Sequence, residues 1–77
     1  MKSEDIERIA GALPLAEVAI KDPVTLGLYG TTTWRLDTDA AQRAFVRQGV
    51  PESQWGALMV ALEARVDDAN DRERGLL

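Results

Sequence analysis

Leu15-Ala16-Glu17-Val18-Ala19-Ile20-Lys21 is the stretch on which the fold turns. Ala16, Val18 and Ile20 alternate with Glu17, Ala19 and Lys21, and a period of two marks a half-buried strand. The same segment is rich in Ala, Leu, Glu and Lys, which favour helix, so a helix over residues 15–21 stands as the alternative. Read as a strand, the segment opens a meander. Asp22-Pro23 is a turn signal. Val24, Leu26 and Leu28 then alternate with Thr25, Gly27 and Tyr29. After Gly30, residues Thr32, Trp34 and Leu36 share one face, opposite Thr31, Thr33 and Arg35. The run Thr31-Thr32-Thr33-Trp34 has high β-propensity.

Upstream, Ile6, Ile9, Ala10 and Leu13 recur at helical spacing. Ser3 is a good N-cap with Glu4, Asp5 and Glu7 in the first turn. Pro14 ends this helix, predicted over about residues 4–12. Downstream, Asp37 or Thr38 caps a helix holding Ala41, Ala44, Phe45 and Gln48, and Gly49 stands at the C′ position. Pro51 then starts a last helix over about residues 51–70, with Trp55, Leu58, Met59, Leu62 and Val66 on one stripe. These readings predict an α+β fold in the order α-β-β-β-α-α: a small three-stranded antiparallel sheet with helices on one face. The 77 residues form a single domain, and 67–77 is expected to fray once the apolar stripe ends.

Composition limits the chemistry. There is no cysteine and no histidine, so disulfides, thiolate chemistry and the commonest general base and metal ligand are all removed. A small secreted domain is usually disulfide-stapled, so the expected location is cytoplasmic. The charged start Met1-Lys2-Ser3-Glu4-Asp5 does not read as a signal peptide, and the longest apolar run is too short for a membrane span. Thirteen acids against nine bases give a net charge of −4, which a nucleic-acid backbone repels.

No catalytic or metal-binding motif emerges. Ser3 and Ser53 sit at predicted helix starts, where capping explains them. Asp37-Thr38-Asp39 fails as a calcium loop at Ala41, and the segment from Asp67 fails at Ala69. Gly27 and Gly30 match neither phosphate-binding fingerprint. The turn at Gly49 suggests a helix-turn-helix, but the helix that would enter the groove opens Pro51-Glu52-Ser53-Gln54 and has no base before Arg65. Arg43 and Arg47, at i and i+4, form a weak basic cluster. No enzyme activity, cofactor or metal is expected.

The expected working surface is the open sheet face with Tyr29, Thr31, Thr33 and Arg35, joined by the carboxylates Asp67, Asp68 and Asp71. Tyr and Arg are favoured interface anchors, and an acidic face seeks a basic protein partner. Small, acidic, histidine-poor, disulfide-free domains of this kind have a profile similar to phage-encoded inhibitors, including anti-CRISPR proteins; composition alone carries that likeness. It implies an inhibitor or adaptor docking on a basic, nucleic-acid-binding surface of a partner. The alternative is a self-assembling accessory protein: Val60 and Ala61 widen the apolar surface of the last helix and suggest a homodimer.

Overall fold

A computed structural model describes residues 2–22 and 33–75. Helix α1 spans Ser3–Ala12, α2 is a single turn at Leu15–Val18, and strand β1 follows directly at Ala19–Asp22. Strand β2 (Thr33–Leu36) leads into α3 (Thr38–Arg47). A 3₁₀ turn at Glu52–Gln54 then opens α4, Trp55–Gly75.

The deciding stretch divides between its two readings. Leu15–Val18 is helical, started by Pro14 at the N-cap, and Val18 is fully buried. Only Ala19–Asp22 is extended. The expected strand from Leu15 is therefore corrected: helix-forming Leu-Ala-Glu behind a proline wins the first four positions, and β-pairing takes the rest. The three-stranded sheet and its α-β-β-β-α-α order are corrected with it. Among the described residues the sheet is two-stranded, and the fold is mostly helical. The expected strand at Val24–Tyr29 lies outside the described residues.

β1 and β2 run antiparallel, with Ala19 opposite Leu36, Ile20 opposite Arg35, Lys21 opposite Trp34 and Asp22 opposite Thr33. The pairing extends past the strands, because Asp37 N–H donates to the Val18 carbonyl at 2.8 Å. Successive side chains point to opposite faces. Ala19 is buried and Leu36 packs on the core, so their face is the inner one, whereas Ile20 and Arg35 face out. Across the inner face the Lys21 ammonium lies 5.2 Å from the centre of the Trp34 ring.

The core joins Ile9, Ala10 and Leu13 of α1 to Val18, to Ala41, Ala44 and Phe45 of α3, and to Val50, Leu58 and Leu62. Each helix ends where local chemistry stops it. At α1 the N-cap is Lys2 rather than Ser3, and Asp5 accepts from the Lys2 backbone N–H at 3.4 Å. Asp37 caps α3 by accepting from Ala40 N–H at 3.2 Å. The other end of α3 is a Schellman turn: Val50 N–H donates to the Phe45 carbonyl and Gly49 N–H to the Val46 carbonyl, each at 3.0 Å, with Gly49 at φ +71°. Pro51 precedes the 3₁₀ turn, so α4 proper starts at Trp55, later than the sequence suggests.

The last helix also runs further than its apolar stripe. It continues through Asp67, Asp68 and Asp71 to Gly75, with Val66 and Asn70 both buried. Two long-range contacts tie it down. Arg65 donates through one guanidinium nitrogen to the carbonyls of Ala10 and Leu13, the latter at 2.7 Å. These belong to the C-terminal end of α1, where carbonyls have no intrahelical partner. Asn70 in turn pairs with the backbone of Trp34.

Candidate functional site

A groove of about 370 Å³ runs between β2 and α4. Val66, Asn70, Glu63 and Asp67 form its helical wall, Trp34 and Leu36 come from the inner face of β2, and Arg35 and Thr38 complete the lining. Residues 63, 66, 67 and 70 share one face of α4, because they follow i, i+3, i+4 and i+7 spacing. Burial of Val66 and Asn70 fixes the azimuth of that face, which leaves Glu63 and Asp67 exposed at the rim.

Two of the residues expected to form a working surface meet in this groove: Arg35 and Asp67. Thr33 is half-buried on the same outward face of β2 as Arg35. Asp71 is exposed one turn beyond Asp67. Asp68 points elsewhere, pairing with Arg72 at 2.9 Å and lining a separate cleft with Leu15, Arg65 and Ala69. Tyr29 and Thr31 lie outside the described residues.

Glu63 was not singled out by sequence reasoning, although it precedes Asp67 by one turn. Glu63, Asp67 and Asp71 fall at i, i+4 and i+8, spaced about 6 Å per step along the axis. All three are exposed, and among the described residues none has an ion-pair partner. Three other carboxylates are paired: Asp5 with Arg8 at 3.3 Å, Glu17 with Arg47 at 3.8 Å and Asp68 with Arg72 at 2.9 Å, whereas Glu4, Glu7, Asp39 and Glu52 are also exposed with no ion-pair partner among the described residues. The Arg43/Arg47 cluster is thereby split, with Arg47 held by Glu17 and Arg43 exposed.

The apolar band expected to support self-assembly is narrower than its sequence. Ala61 packs against the core, whereas Val60 is 68% exposed. Val46 on α3, at 64%, and Ile20 on β1, at 41%, are also exposed among the described residues. Among the described residues no group of three potential metal-ligating side chains comes together, and no helix is long and apolar enough to cross a membrane.

No protein-family model matches the chain, and no curated protein or solved structure matches it significantly.

Proposed function

We propose that this protein is a non-enzymatic binding module, a small acidic inhibitor or adaptor that docks on a basic, nucleic-acid-binding surface of a partner protein. The observation that carries the reading is the row Glu63, Asp67 and Asp71 along one exposed stripe of α4. Like charges one turn apart weaken a helix, and no cation among the described residues neutralises them. A partner's Arg and Lys side chains would supply the missing charge. An acidic row of this kind mimics the charge of the nucleic acid that such a partner normally holds, and it speeds encounter by electrostatic steering.

The test is a pull-down from bacterial lysate with the wild-type chain and the triple variant Glu63→Gln, Asp67→Asn, Asp71→Asn. The reading expects a protein retained by the wild type alone, released by added duplex DNA and by raised salt. Capture that is equal for both proteins and indifferent to DNA would overturn it.

A further inference from the structure

We infer that the α4–β2 groove is an anchor pocket for one arginine side chain of the partner. This inference deepens the acidic-docking reading and rests on it. The groove offers the two kinds of surface that an arginine side chain lying along it would use. Trp34, Leu36 and Val66 give apolar surface for the methylene stem. Glu63 and Asp67, which have no ion-pair partner among the described residues, place two carboxylates one helical turn apart at the rim, and a guanidinium has five donors in a planar fork that can engage both.

The indole of Trp34 already takes part in a cation–π contact, with Lys21 at 5.2 Å on the inner face of the sheet. Lys21 therefore places one positive charge beside the ring, and the attraction of the groove for a further cation rests on Glu63 and Asp67. The groove volume of about 370 Å³ lies within the range of small ligand sites. Arg35 stands at the rim on the outward face of β2. Its charge opposes a second cation in the groove, so the pocket takes one arginine of the partner's basic surface.

The probe is N-acetyl-arginine N-methylamide, titrated into the ¹⁵N-labelled full chain, with the corresponding lysine and glutamate derivatives as comparators. The two indole N–H signals separate groove from core: Trp34 lines the groove, whereas the Trp55 indole N–H donates to the Val50 carbonyl at 3.1 Å. A saturable shift of the Trp34 signal with arginine is expected, several-fold weaker with lysine and absent with glutamate, while the Trp55 signal stays in place. Glu63→Gln with Asp67→Asn should weaken binding at least tenfold. So should Thr38→Phe, which narrows the groove from an exposed position. Retained amide dispersion shows that these variants fold. No shift with arginine, or an equal shift with glutamate, overturns the pocket. If the carboxylate variant abolishes partner capture but Thr38→Phe does not, acidic docking stands and the anchor falls. Arginine binding with capture indifferent to the carboxylates would sustain the pocket and overturn the docking reading.

Discussion

The side-chain amide of Asn70 pairs with the backbone of Trp34 as a neighbouring strand would. Trp34 N–H donates to Asn70 Oδ1 at 2.6 Å, and Asn70 Nδ2 donates to the Trp34 carbonyl at 3.0 Å. An edge strand carries unpaired donors and acceptors that invite aggregation or must be covered. Here one buried amide on α4 satisfies both groups of Trp34 and locks the helix to the sheet. Asn70→Ala leaves that N–H and carbonyl without partners and is expected to destabilise the fold by about 1–3 kcal/mol. Asn70→Asp keeps the acceptor but turns a carboxylate oxygen against the Trp34 carbonyl, so it should be no milder. Urea unfolding followed by tryptophan fluorescence measures both, and an Ala variant within about 0.5 kcal/mol of wild type would contradict this role.

Leu62 is fully buried at the centre of the core, and Val60, two residues earlier, is 68% exposed. Leu62→Ala should cost about 2–5 kcal/mol, enough to unfold a domain of this size. Val60→Ala should stay within about 0.5 kcal/mol. Melting both by circular dichroism tests the azimuth of α4; comparable losses would mean that the helix is rotated from its described position.

The parts of the fold legible in the sequence are those set by local chemistry. Asp37 and Gly49 bracket α3 because an N-cap carboxylate and a left-handed C′ residue act within a few residues of themselves. Leu58, Leu62 and Val66 declare the buried stripe by spacing alone. The stretch from Leu15 was ambiguous because four helix-forming residues run directly into four that pair with β2, and no breaker separates them. Asn70 and Arg65 could not be assigned roles, because their partners lie 36 residues and more than 50 residues away. One signal for Asn70 was present: it continues the Leu58, Leu62, Val66 spacing, and a polar residue at a core position needs a partner. The groove carboxylates were half legible. Asp67 and Asp71 stood out within an acidic run, whereas Glu63 lay in a helical stretch where a lone acid reads as ordinary solvated surface.

Gly49 holds φ at +71°, and a Cβ there would meet nothing within 4 Å. The constraint is therefore conformational rather than steric contact with neighbours. Gly49→Ala should destabilise by about 1–2 kcal/mol, the cost of the left-handed region for an L-residue. Gly49→Asn should recover part of that loss, since Asn tolerates this region better. Thermal melts giving Ala and glycine equal stability would show that the Schellman turn adjusts at no cost.

Arg65 should matter more than its half-exposed position suggests. It supplies hydrogen bonds to Ala10 and Leu13 and places positive charge at the C-terminal end of α1. Arg65→Met preserves much of the stem but removes the donors, at an expected cost of about 1.5–3 kcal/mol for hydrogen bonds to a charged group. Hydrogen exchange should locate the damage, with faster exchange in α1 than in α3. A uniform increase across both helices would mean that Arg65 contributes only to global packing.

The carboxylate row on α4 predicts a conflict between stability and binding. Glu63, Asp67 and Asp71 form two like-charge pairs at i, i+4, each costing about 0.2–0.5 kcal/mol in an exposed helix. Asp71 also lies near the C-terminal end of the helix, where negative charge is unfavourable. Neutralising all three with Gln and Asn should therefore raise stability by about 0.5–1 kcal/mol, while weakening capture of a basic partner. Salt should have a matching effect on the wild type: between about 0.01 and 0.1 M the screening length falls from roughly 30 to 10 Å, so repulsion between exposed charges declines. The wild-type melting temperature should rise over that range, and the triple variant should respond less. Chemical and thermal melts of both proteins at the two ionic strengths provide the measurement. A variant less stable than wild type at low salt would mean that the carboxylates support the fold, and the row would then need no partner to account for it.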